Sequence, residues 1–264
     1  MNMQSKGPQY GNWVSTELVR KMLLFFFAFG LMDAALWMFV AGWLAAKIVL
    51  AVLAAFFLAG VCYFVKARRL FSVSGGNVQN KVLDELVSKV DWDGSGSALD
   101  VGCGSAALVV KLARRFPRAK VSGVDYWGGS WGYNQKRCEE NCAMEGVGAR
   151  TSFTRASASK LPFEDDSFDL VVSNLTFHEV RDTRNKRDVV KESLRVVKKG
   201  GRFVFQDLFL LRSCYGDMED FVEKLKAEGI REAYFMDTSK ASFIPRALKL
   251  PFMVGALGVL YGVK

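Results

Sequence analysis

Residues 98–106 read Ala98-Leu99-Asp100-Val101-Gly102-Cys103-Gly104-Ser105-Ala106. A short apolar run carrying one carboxylate stops at two closely spaced glycines and passes into residues 105–116, whose apolar spacing is helical and which Pro117 follows. Glycines at such a turn admit backbone conformations closed to other residues and let a ligand approach closely. The next apolar strand, 121–125, ends on Asp125. A carboxylate there would meet a ribose and accept a hydrogen bond from each of its hydroxyls. A nicotinamide-binding loop competes with this reading. Its fingerprint calls for a glycine where Ala107 stands, and it does not usually carry a carboxylate at the place of Asp100.

Outward from this loop the two periodicities alternate. Residues 77–90 have helical spacing ahead of it. After it come a helix at 135–145, a strand at 151–154, an unbroken apolar strand at 168–173 (FDLVVS), a helix at 186–197 and a strand at 202–206. An apolar run without alternation is expected where both faces of a parallel strand are covered. Strands alternating with helices predict an α/β fold with a mostly parallel, Rossmann-like sheet. The strand-like segments 231–237 and 254–263 leave no room for a crossover helix of normal length, so an antiparallel edge is expected.

The 264-residue chain is 50% hydrophobic, and its mean hydropathy is slightly positive. The excess is local. Residues 22–65 are almost wholly apolar, broken only by Asp33 and Lys47. About 20 apolar residues cross a bilayer as a helix, so the stretch fits a hairpin of two spans and is too long for one or for a secretory signal. Arg20 and Lys21 precede it and Lys66, Arg68 and Arg69 follow, with no charge around residues 40–44. Positive residues stay on the cytoplasmic side, which puts both ends of the hairpin there. The expected organisation is an N-terminal cytoplasmic segment (1–21), a transmembrane hairpin (22–65), a linker (66–76) and a catalytic domain (77–264) on the cytoplasmic side. Asp33 and Lys47, if brought together, could pair or take part in handling a substrate. The stretch PRALKLPF (245–252) could touch the bilayer or be buried at the sheet edge.

The formal charge of +9 fits attraction to anionic lipids better than nucleic-acid binding, for there is no compact arginine-rich tract and several cations flank the apolar stretch. Five cysteines and one histidine do not offer paired ligand spacings, so no metal site and no disulfide framework is expected.

DVGCGSA at 100–106 resembles the first motif of the class I S-adenosylmethionine-dependent methyltransferases, and GVDYW at 123–127 resembles their second acidic strand end. KLPFEDDSFDLVVSNLTFHEVRD at 160–182, followed by LRVVKKGGRFVFQD at 194–207, resembles the ubiquinone and menaquinone C-methyltransferases and their small-molecule relatives. The resemblance covers residues 77–264. It implies S-adenosyl-L-methionine as cofactor, with Gly102, Cys103 and Gly104 shaping the loop around its methionine part and Asp100 meeting the amino group. It further implies Asp125 on the ribose, Tyr126 beside the adenine, and Ser157 and Ala158 where relatives carry an acidic and a small residue. Ala106 departs from the family's third glycine, and Lys199 from its usual proline.

Methyl transfer needs acceptor and methyl held in line, and a base only if the acceptor arrives protonated. Asn174 and His178 follow the fourth strand and Asp207 ends the fifth, where clefts open in such sheets. Asn174 is a candidate for both cofactor binding and catalysis. His178 is the candidate base or a packed strand-end residue, and Asp207 a second candidate on the cleft side. Trp127, Trp131 and Tyr133 either roof the cofactor or pack a loop over the sheet. The expected acceptor is a lipophilic small molecule or lipid. A membrane-associated protein or RNA substrate, or a cofactor-binding protein without turnover, are the alternatives.

Overall fold

The computed structural model describes residues 7–128 and 132–264. Trp131 lies outside the described residues. The chain divides into two compact units, Asn12–Gln79 and the remainder.

The first unit is a helical hairpin, α1 (Thr16–Phe39) and α2 (Leu44–Phe71). Ser15 caps α1, its hydroxyl accepting from the Leu18 amide. Both helices are long and apolar enough to cross a bilayer. Stacked rings hold them together, with Phe57 of α2 5.1 Å from Phe25 and 5.6 Å from Phe29 of α1. The helices extend beyond the 22–65 stretch at both ends, and α2 runs through most of the expected linker, because Lys66, Arg68 and Arg69 are good helix formers that also complement the helix-end dipole. Lys47 is not paired with Asp33. Its Nζ donates to the Val40 carbonyl (3.0 Å) and lies 4.3 Å from the Trp37 ring centre. The carbonyls at the end of α1 lack intrahelical donors, and a buried ammonium one tight turn away satisfies one of them. Asp33 keeps one buried carboxyl oxygen without a hydrogen-bond partner.

The second unit is built on a seven-stranded sheet among the described residues, in the order β3-β2-β1-β4-β5-β7-β6. In chain order its elements are α3 (Val78–Ser88, begun in the other unit), β1 (Ser97–Val101), α4 (Ala107–Arg115), β2 (Lys120–Asp125), α5 (Gln135–Met144), β3 (Thr151–Arg155) and β4 (Phe168–Asn174). Then follow α6 (Lys186–Arg195), β5 (Val197–Asp207), α7 (Arg212–Tyr215), α8 (Met218–Ala227), β6 (Glu232–Asp237) and β7 (Gly258–Val263). The first five strands are parallel. β7 enters antiparallel between β5 and β6, as the lack of a long crossover predicts. Helix α8, not foreseen from the sequence, buries Met218, Phe221, Val222 and Leu225.

Alternation along the strands builds a core on each face. Leu99, Val101, Val171, Phe203 and Phe205 face α6 and α8, while Ala98, Leu170, Val172 and Val204 face α3 and α4. Phe177 and Phe205 meet edge-on at 5.3 Å. In the 245–252 stretch Leu248 is buried, whereas Leu250 and Phe252 are exposed. All five cysteines are free thiols, and among the described residues no cluster could hold a metal ion.

Candidate functional site

The carboxyl ends of β1, β2, β4 and β5 collect the candidate residues. At the end of β1 the chain turns sharply. Gly102 and Gly104 adopt φ of +79° and +55°, and the amides of Gly102 and Cys103 both donate to the Val124 carbonyl (2.7 and 3.1 Å). A Cβ on Gly102 would collide with the Thr176 side chain. Ala106, at φ +69°, holds a conformation that a glycine would take without strain.

Asp100 is fully buried, and neither of its carboxyl oxygens has a hydrogen-bond partner. Burial, reinforced by the nearby Asp125 charge, pushes its pKa well above the usual carboxylate range. A buried carboxyl with nothing to bond is costly unless a ligand supplies the donor. Asn174, at the end of β4, likewise has an unpartnered buried side-chain oxygen, Oδ1.

Asp125 is tied to the loop. Its Oδ2 accepts from the Gly104 amide (2.9 Å) and its Oδ1 from the Trp127 amide (2.7 Å). Each oxygen has a further lone pair, so the group can still accept from a diol. Trp127 Nε1 donates to the Gly104 carbonyl (2.9 Å), and the Tyr133 ring lies against Gly104. Both aromatic residues therefore pack on the glycine loop. Tyr126 is exposed, its carbonyl accepting from Arg155 Nε (3.1 Å).

Ala158 is buried, and Ser157 is not alone at its place. Its hydroxyl donates to Asp182 Oδ2 (2.6 Å), and Ser159 does the same (2.7 Å). These two hydroxyls hold the Asp182 carboxyl below the usual carboxylate range. The Asp182 carboxyl, from the loop after β4, thus lies beside Ser157. Sequence reading missed it because it comes from residues remote along the chain.

His178 and Asp207 form a pair, with Nδ1 and Oδ1 2.6 Å apart. Asp207 is wholly buried, and its carboxylate also accepts from the amides of Thr176 (3.0 Å), Phe177 (2.8 Å) and Leu208 (2.6 Å). Burial alone would lower the His178 pKa, but the carboxylate wins and the pKa is raised. The phenol of Tyr215 is buried without a hydrogen-bond partner, and burial together with the Asp207 charge pushes its pKa up. The other ring nitrogen, His178 Nε2, lies 3.9 Å from the Glu179 carboxylate.

One further set of contacts was not legible in the sequence. The segment Gln9–Gly11 lies along α5 and the glycine loop. Buried Asn141 donates to the carbonyls of Gln9 (3.0 Å) and Ser105 (2.9 Å) and accepts from the Gln9 amide (2.8 Å). Ser105 Oγ donates to the Tyr10 carbonyl (2.7 Å), and the Tyr10 hydroxyl to Glu145 (2.7 Å).

Residues 99–205 match the family model described as a methyltransferase domain. The chain is 31% identical over 166 residues to a demethylmenaquinone methyltransferase of Bacillus subtilis, covering 62% of each protein. It is 30% identical over 122 residues to a ubiquinone/menaquinone biosynthesis C-methyltransferase of Desulfotalea psychrophila, covering 46% of this chain and 45% of that protein. The chain thus spans about half the length of several curated relatives that it matches. A geranyl diphosphate C-methyltransferase from Streptomyces coelicolor superposes with a TM-score of 0.54 at 12% identity, over 71% of this chain and 81% of that one, which speaks for the fold alone. The fold is the Rossmann-like class I methyltransferase fold. The matched segment is similar to methyltransferase domains of the kind that use S-adenosyl-L-methionine. The glycine turn and the orphaned Asp100 oxygens fit that cofactor.

Proposed function

We propose that this protein is a membrane-anchored S-adenosylmethionine-dependent methyltransferase that methylates a lipophilic small molecule or lipid, with its catalytic domain on the cytoplasmic side. The observation that carries the reading is the gathering of Asp100, the glycine turn, Asp125 and the His178–Asp207 pair at the carboxyl ends of adjoining strands, with unpartnered Asp100 oxygens among them. The apolar hairpin supports an anchor, because it would concentrate the domain where lipophilic acceptors partition. The names of the quinone methyltransferase relatives support the acceptor class.

In this reading α1 and α2 form the anchor and the catalytic domain follows them along the chain. Asp125 accepts from the ribose hydroxyls and Asp100 receives the amino group of the methionine part, with Cys103 and the flanking glycines shaping that end. Tyr126 flanks the adenine, Ala158 leaves room for it, and Asp182, steadied by Ser157, accepts from its exocyclic amine. When bound, S-adenosylmethionine supplies a methyl group already activated on a sulfonium. The protein's part is placement. Asn174 orients the acceptor or the methionine end, and His178 Nε2 takes the acceptor's proton. Asp207 fixes the imidazole through Nδ1 and stabilises the imidazolium that forms.

The test is incubation of the purified full-length protein with methyl-labelled cofactor and native membrane extract. Label should enter the lipid fraction, and His178→Ala should lose turnover while binding cofactor. Label in protein or RNA instead would overturn the acceptor class, and cofactor binding without any transfer would overturn the enzyme. Asp125→Ala should abolish cofactor binding by calorimetry; unchanged affinity would remove Asp125 from the site.

A further inference from the structure

The end of α2 builds a small basic cavity of about 420 Å³, lined by Lys66, Arg69, Leu70, Ser74, Gly75 and Gly76. After Phe71 the chain folds back on the helix it has just left. The Gly76 amide and the Ser72 hydroxyl both donate to the Arg69 carbonyl (3.2 and 2.9 Å), and the amides of Gly75 and Asn77 donate to the Ser72 carbonyl (3.1 and 2.9 Å). A Cβ on Gly75 would collide with the Arg69 carbonyl, and one on Gly76 with that of Leu70. Only a glycine pair closes the turn this tightly, and the closed turn is one wall of the cavity.

Lys66 and Arg69 stand one helical turn apart on another wall. Like charges at this spacing repel. Among the described residues neither cation has an ion-pair partner, and no acidic side chain lines the cavity. Arg68, between them in sequence, is directed elsewhere, donating to the Val14 carbonyl (2.6 Å). The dipole at a helix end accounts for cations in the last turn, but the Arg69 carbonyl is already satisfied twice, and the dipole does not call for a walled pocket. Two cations and a serine hydroxyl in a concave site match a phosphate monoanion.

We infer that the cavity formed by Lys66, Arg69 and the 72–76 turn binds an anionic phosphate, presented by the headgroup of an acidic phospholipid. The lipid source rests on the membrane-spanning reading of α1 and α2, since the cavity lies at the charged end of an apolar helix, where headgroups meet a span. Bound there, one lipid would fix the depth of α2 at its exit from the bilayer.

The experiment is native mass spectrometry of the full-length protein in mild detergent, titrated with dioleoylphosphatidylglycerol, dioleoylphosphatidylcholine or inorganic phosphate. One phosphatidylglycerol should be retained over phosphatidylcholine by about 30-fold, the value for two cations near an anionic headgroup. The Lys66→Gln/Arg69→Gln double variant should lose the preference, and Lys66→Arg/Arg69→Lys should keep it. Equal retention of both lipids, or a preference that survives the double glutamine variant, overturns the inference. Inorganic phosphate bound as tightly as the lipid, and lost in the glutamine variant, keeps the phosphate site and overturns its lipid source. Alkaline extraction of native membranes separates the underlying reading: a protein released by it is not anchored, whatever the cavity binds.

Discussion

Asp207 Oδ1 lies 2.6 Å from His178 Nδ1, and the same carboxylate is held by the amides of Thr176 and Phe177 after β4 and of Leu208 after β5. A side chain so fixed cannot turn away from the imidazole, so the pair is set before any ligand arrives. With Nδ1 engaged by the carboxylate, Nε2 is the nitrogen that the proposed mechanism uses as base.

Asp207→Asn keeps the shape and removes the charge that raises the His178 pKa. The acid limb of kcat/KM should move to lower pH, while the plateau falls by roughly 10²–10⁴-fold through loss of the correct tautomer. The sign for stability follows from the raised folded-state pKa. The pair stabilises the fold fully below the unfolded histidine value and loses this as pH rises through the folded one. Thermal melts across that window should slope less in the variant than in the wild type. A limb that stays in place would remove His178 as the base.

Gly102→Ala puts a Cβ into the Thr176 side chain at a residue with φ +79°. A loss of about 1–3 kcal/mol in stability is expected, with a larger proportional loss of cofactor affinity if the turn shapes the cofactor site as proposed. Chemical denaturation and calorimetry on the same preparation separate the two effects.

Asp182→Ala should weaken S-adenosylmethionine by about 10-fold, the scale of one charge-assisted hydrogen bond. Stability should hardly change, as the residue is exposed and lies outside the core. Its ionisation is already favoured by the Ser157 and Ser159 hydroxyls, so the ratio of wild-type to variant affinity should be flat from neutral pH down to the ordinary carboxylate range. Unaltered affinity in the variant would return the adenine contact to Ser157 alone.

Asn141→Ala removes contacts that join Gln9, Ser105 and α5 in a fully buried place. Leaving the Ser105 and Gln9 carbonyls without their donor should cost roughly 1–3 kcal/mol. Hydrogen exchange should show faster opening at residues 104–106 and at the N-terminal segment together. Asn141→Asp, which accepts but cannot donate, should be no better than alanine.

The alternation of strands and helices, the glycine turn, Asp125 at its strand end and the apolar hairpin were all legible in the sequence. Each is written in residues close along the chain, where periodicity and backbone sterics act directly. Element ends were read to within a few residues, but β5 begins at Val197 rather than at Arg202, because pairing with β4 extends it. Helix α8 escaped notice amid its many charged residues. Only the tertiary structure decided that Asp182 meets Ser157, that Lys47 caps α1 instead of pairing with Asp33, that Asp207 grips His178, and that Asn141 ties the N-terminal segment to the glycine loop. These pairs, separated along the chain, are chosen by which unsatisfied polar groups the packed sheet and helices leave facing one another, and local sequence does not encode that choice.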